Sequence, residues 1–161
     1  MATAMDVANF FLAEAPEEDQ MTNLKLQKLC AYAQAISLAY AGCPLFEEEL
    51  EAWTHGPVVP SVYNAFKDYA KSHIPPPVSK EVARSKFGET EVFILQMVWA
   101  AYGRFTAWAL RDQSHWDFPG KFGTKEVISK PSIKEAFINN PLVKRMRRSE
   151  LLDEAAYALD V

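Results

Sequence analysis

The chain is poor in the residue types that build reaction centres. Its 161 residues include only two cysteines, Cys30 and Cys43. Their spacing fits no zinc pattern and offers no disulfide framework. A reduced, cytoplasmic compartment is the expectation, with Cys30 as a small core residue. Six glycines compose no Walker loop, no paired dinucleotide glycines and no nucleophile elbow. His55 and His115, with Glu51 or Asp112, are the nearest thing to a metal set, but no His-x3-His spacing supports one. Enzymatic activity, a bound metal and a cofactor are therefore not expected. Long apolar runs are also missing. The runs Val92–Leu95 and Met97–Ala101 are separated by Gln96 and fall short of the ~20 residues of a membrane span. Asp6 and the lack of an early basic cluster argue against a secretory signal. A net charge of −4 disfavours a nucleic-acid-coating role.

What the chain does have is apolar content, 49% of residues against 24% charged. That suits one compact domain over residues 1–161. A chain of this size buries roughly 68–70% of its unfolded surface and needs no disulfide. Helical signals dominate. Asp6 is placed to cap a first helix through Val7, Phe10 and Phe11, and an acidic loop from Glu14 to Asp19 follows. Thr22 reads as the N-cap of a second helix. Leu26, Leu29, Cys30, Ala33, Ile36 and Tyr40 form its apolar stripe, and Gly42 and Pro44 end it. Leu45–Trp53 reads equally as a solvated helical turn or an extended segment, closed by His55-Gly56-Pro57.

Pro60 opens a third helix, with apolar and aromatic spacing to Ala70. Pro75-Pro76-Pro77 then predicts a stiff polyproline arm. Residues 72–90 are taken as a linker between two halves. Glu91–Tyr102 is apolar nearly all round, which predicts a central buried helix with Gln96 as its one interior polar residue. A short helix from Ala107 to Gln113 follows, capped by Thr106. Ser132 and Glu135 suggest a capping box, Asn139-Asn140-Pro141 a break, and Glu150–Leu159 a closing helix. The expected fold is mainly α: six to seven helices in one domain, with room for a very small β patch around Leu50–Trp53 or Val127–Ile128.

Three groups of residues invite a functional reading. Lys25 and Lys28 sit in the first turns of a helix, where the macrodipole disfavours cations by a few tenths of a kcal/mol. They need an acidic complement. It is either internal, most simply the Glu47–Glu51 cluster, or an acidic ligand or partner. Trp53, His55 and Tyr63 flank a loop stiffened by Pro57 and Pro60. Stiffness lowers the entropy lost when a partner docks, and Trp and Tyr are enriched at binding hot spots; the bland alternative is that they are core. Lys144, Arg145, Arg147 and Arg148 form the one dense basic run. It is either a solvated face or a site that steers an acidic partner. No recognition helix accompanies it, so DNA binding as an autoregulator is the weaker use.

The stretches Thr22–Leu29, Tyr32-Ala33-Gln34, Pro44-Leu45-Phe46 and Glu51–Tyr63 resemble the Panacea domain, also called SocA-like and often labelled phage-associated protein. Further on, Ser114-His115-Trp116-Asp117-Phe118-Pro119 keeps the histidine of the family pattern but loses its Pro-Trp order. The resemblance implies a helical antitoxin that silences a cognate toxin by direct binding. One branch of the family instead acts as an adaptor that delivers its toxin to the ClpXP protease. The expected partner surface comprises Lys25, Lys28, Trp53, His55 and Tyr63, with the basic run and the proline arm making partner-specific contacts. No membrane partner is expected, and nucleic acid is disfavoured.

Overall fold

The first helix is set by reciprocal bonds at its start. The Thr3 hydroxyl accepts from the Asp6 amide, and the Asp6 carboxylate accepts from the Thr3 amide. This capping box begins α1 (Ala4–Glu14) one turn earlier than an Asp6 cap would. The computed structural model describes residues 1–16 and 21–159, with side chains to residue 153. Residues 17–19 of the acidic loop expected after α1 lie outside the described residues.

The centre of the molecule is α2 (Asn23–Tyr40). Thr22 caps it, accepting from the Lys25 amide, and Gly42 follows its last turn at φ +77°, the left-handed conformation that suits glycine. The expected apolar stripe is present, but burial continues round the other faces, and only Leu24 and Tyr40 of this helix are not buried. A helix enclosed on all sides must find partners for its polar side chains, because an unpaired buried polar group costs roughly 1–3 kcal/mol. Here many of the partners are backbone groups of the segments around it. Gln34 accepts from the Leu45 and Phe46 amides and donates to the Phe46 carbonyl. Ser37 donates to the Cys43 carbonyl. The Tyr32 hydroxyl donates to Asp117 at 2.7 Å, and its ring stacks on Tyr102 with centroids 4.2 Å apart.

The rest of the chain wraps α2. β1 (Leu50–Trp53) pairs antiparallel with β2 (Gly56–Val58) on one side and β3 (Val127–Ile128) on the other. The expected β patch therefore draws on both suggested segments, and the extended reading of Leu50–Trp53 holds over the helical one. α3 (Pro60–Phe66) starts at its proline and tightens into a 3-10 turn over Lys67–Tyr69. The proline stretch is not a free arm throughout: Ile74, just before it, is buried and its amide donates to the Met21 carbonyl. Residues 72–90 are also more than a linker. They include α4 (Lys80–Arg84), which packs on α1 and pairs Arg84 with Glu14 at 2.7 Å.

α5 (Glu89–Tyr102) is not the central helix. Only Ile94, Leu95 and Val98 are buried in it, and Gln96 is exposed. Its apolar circumference is partly covered, while α2, with its lysines, glutamines and alanines, takes the middle. α6 (Ala107–Asp117) is capped by Thr106 and runs one turn past Gln113. α7 (Lys130–Phe137) is capped by Ser129, three residues before the expected Ser132. α8 (Pro141–Leu159) starts nine residues before the expected Glu150. Eight α-helices and a three-stranded sheet thus make up the described residues, a mainly helical fold with one apolar core. Among the described residues no helix is long and apolar enough to cross a membrane.

Replacing Gln34 with Leu keeps the shape and strands two amides and a carbonyl. We expect a loss of about 2–4 kcal/mol, read by urea denaturation. A change under about 0.5 kcal/mol would show that the loop at Leu45–Phe46 does not depend on this side chain.

Candidate functional site

β1 alternates as a half-buried strand should: Leu50 and Ala52 face the core, Glu51 and Trp53 face outward. Thr54 and His55 then form the tip of the hairpin, and Gly56 takes φ +107°. That glycine is required twice over. A Cβ there would fall 2.7 Å from Ser114 Oγ and 3.0 Å from Lys28 Cε. The chain turns into α3 at Val59, whose amide donates to Gln27 Oε1 at 3.0 Å. Gln27 Nε2 donates in turn to Asn23 Oδ1, and Asn23 Nδ2 donates to the Tyr63 carbonyl. α2 thereby grips the corner from Trp53 to Tyr63 along its length.

The two lysines belong to that grip. Lys28 is fully buried and its Nζ donates to the Pro57 carbonyl at 2.7 Å. Lys25 is 8% exposed; its Nζ donates to the Gly103 carbonyl at 2.6 Å, at the end of α5. A cation suits the negative end of a helix dipole, so α5 offsets the unfavourable start of α2. Neither lysine is presented to a partner in this conformation, contrary to the expectation of an exposed pair. The Glu47–Glu51 cluster is not the complement of Lys28 either. Glu48 accepts from the Ala4 amide, Glu49 pairs with Lys130, and Glu51 accepts from Trp53 Nε1.

Trp53, His55 and Tyr63 do come together. They line an open groove of about 570 Å³ beside Trp108 of α6. The Trp53 and Tyr63 rings meet edge to face at 4.8 Å, as do His55 and Trp108 at 5.4 Å. Arg111 lies 5.3 Å from the Trp108 ring centroid, and its Nε donates to His55 Nδ1 at 3.2 Å. Lys125 Nζ stands 4.5 Å over Trp53. Trp108 was not anticipated as a site residue, nor were Lys67, Lys71 and Lys125, which also line the groove. The exposure of Trp108 follows from the structure, where Leu110 and Ser114 take the buried face of α6 and Trp108 lies off it.

The remaining expectations separate. His115 is not free for a metal beside His55: its Nδ1 lies 2.7 Å from the Arg111 carbonyl and its Nε2 3.2 Å from that of Thr54. Among the described residues no cluster of three histidine, cysteine or acidic side chains could hold an ion. The basic run is helical, with Leu142, Val143 and Met146 buried beneath it. Arg147, itself exposed, donates to the Ala39 and Tyr40 carbonyls at the end of α2. Lys144, Arg145 and Arg148 remain on the surface.

Burial, and then the Arg111 charge, lower the Lys28 pKa from 10.5 to about 7. Between those values the unfolded chain keeps a proton that the folded chain has released, so this residue makes stability rise with pH from about 7 toward 10.5. The buried Cys30 thiol, pushed up by desolvation, acts in the opposite direction above its ordinary range. Comparison with Lys28→Met isolates the lysine. From pH 7 to 9 the unsubstituted chain should gain about 2 kcal/mol relative to that variant, measured by chemical denaturation. Parallel pH profiles would show that Lys28 stays charged in the fold.

The chain matches the family described as Antitoxin SocA-like, Panacea domain, over residues 26–118. It is also similar to Antitoxin SocA of Caulobacter vibrioides (strain NA1000 / CB15N), 40% identical over 72 residues. That alignment covers 44% of this chain and only 38% of the relative. No solved structure matches the chain. The family span takes in Trp53, His55, Tyr63 and Trp108, and leaves Lys125 and the basic run of α8 outside it. With more than half of its length matched, the chain belongs to the Antitoxin SocA-like, Panacea domain family.

Proposed function

We infer that this protein is an antitoxin that neutralises a cognate toxin by direct protein–protein binding, and that the groove beside Trp53 and Trp108 is the docking face. The observation that carries the location is the aromatic corner itself. Trp108 is 59% exposed, and Trp53 and Tyr63 are half-buried on a frame held from behind by Lys28, Gln27 and Asn23. Rigid, partly open aromatic side chains lose little entropy on docking and bury much apolar area. Family membership supports the antitoxin role and a toxin as partner.

Within this reading Lys25 and Lys28 act indirectly, by fixing the corner. Lys144, Arg145 and Arg148 supply a separate basic face for contacts particular to this chain's partner. The same second face is what an adaptor would need to engage a ClpXP-type protease while holding a toxin, so that reading is kept as the rival.

Co-expression with the neighbouring reading frame tests both. That frame alone should arrest growth, and this protein should restore it, in cells with or without the protease. The Trp53→Ala, Trp108→Ala double variant should fail to restore growth while melting within a few degrees of the parent. A harmless frame, or arrest that persists beside this protein, would end the antitoxin reading. Rescue confined to cells that retain the protease would favour the adaptor. Full rescue by the double variant would move the docking face elsewhere.

A further inference from the structure

The groove's charge is one-signed. Lys67, Lys71 and Lys125 line it and are exposed, and among the described residues no aspartate or glutamate does so, on a chain whose net charge is −4. Glu51, beside it, is engaged by Trp53 Nε1 at 2.9 Å; Asp68, between two of these lysines in sequence, does not line it. His55 adds a donor. Its Nδ1 accepts from Arg111, which leaves the ring proton on Nε2.

A second, independent observation falls on the same place. Among the described residues two non-glycine positions have positive φ, Ala70 at 51° and Lys125 at 61°, and both line this groove. Such backbone strain persists only where the surrounding structure enforces it, and it clusters at sites of function. For Lys125 the enforcement is visible. Its amide donates to the Ala52 carbonyl at 2.9 Å, and the Ala52 amide donates to the Glu126 carbonyl at 2.8 Å. β1 thereby holds this lysine at the groove's edge, over Trp53.

Resting on the docking-face reading above, we propose that the groove takes an acidic, extended segment of the partner protein carrying one large apolar side chain between carboxylates. The apolar side chain lies against Trp53, Tyr63 and Trp108. Its flanking carboxylates meet Lys67, Lys71 and Lys125 and accept from His55 Nε2. A volume of about 570 Å³ holds an aromatic side chain together with its neighbours. Exposed lysines set the rate and specificity of docking, and desolvated aromatic contact sets its lifetime.

The test begins with a displayed library of random peptides selected on the intact protein at low salt. Aspartate or glutamate should be enriched on both sides of an aromatic or long aliphatic residue. The selected peptide, labelled with fluorescein, should bind at least about tenfold more weakly to the Lys67→Glu, Lys71→Glu, Lys125→Glu variant. The control Lys80→Glu, Lys86→Glu, Lys134→Glu, with the same change in net charge, should bind as the parent does. Raising salt to about 0.5 M should weaken binding.

Selection of peptides without acidic residues, failure to select any, or equal binding by the two triple variants would overturn the proposal. The docking-face reading is judged separately by toxin rescue. If rescue needs Trp53 and Trp108 but acidic peptides are not preferred, only the acidic chemistry is lost. If rescue ignores both tryptophans, the docking face itself is wrong.

Discussion

A helix buried on nearly every side has to satisfy its polar side chains without water, and that requirement organises this molecule. α2 carries Asn23, Lys25, Gln27, Lys28, Gln34 and Ser37 into the interior. Each finds a backbone or side-chain partner on a loop or a neighbouring element. A buried hydrogen bond adds only about 0.5–1.5 kcal/mol net, but leaving its groups unpaired costs more. The loops around α2 are therefore held in one arrangement relative to it. The bond from Lys28 to Pro57 is the sharpest case. It brings the hairpin close enough that position 56 has no room for a side chain.

That arrangement explains how an interior built from polar contacts yields an outward feature. Lys28, Gln27 and Asn23 hold the hairpin and the start of α3 from within. Strand alternation then turns Trp53 out while Ala52 stays in. Thr106 starts α6 so that Trp108 and Arg111 stand beside His55. The aromatic groove is the outer surface of a polar clamp, and its lining comes from five separate stretches: the start of α2, the β1–β2 hairpin, α3 with the turn after it, the start of α6, and the segment before β3.

Much of the fold was legible from local chemistry. The Thr22 cap, the proline start of α3, the Thr106 cap and the break at Asn139–Pro141 all follow from short-range rules. The errors share a cause. Ser132 looked like a cap because Glu135 followed it, yet Ser129 provides the hydroxyl that accepts the amide bond. α5 looked central because it is apolar all round, yet only part of its surface is covered. α2 looked amphipathic because Lys, Gln and Asn are normally solvated. Burial of such residues depends on partners far away in the chain, such as Pro57 and Gly103, which periodicity cannot reveal.

The sequence by itself determined the helical class, most element boundaries to within a turn, the scarcity of catalytic groups and the pairing of a lysine-bearing helix with a tryptophan-to-tyrosine corner. Local preferences of backbone and side chain are enough for that, since capping, proline geometry and strand alternation act over a few residues. Tertiary structure alone decided which of those residues face outward. It sent Lys25 and Lys28 into the interior, left Trp53, His55 and Tyr63 at the surface, and added Trp108 and Lys125 from far along the chain. The reason is physical: exposure is a property of what packs against a side chain, and here the packing partners are distant in the chain.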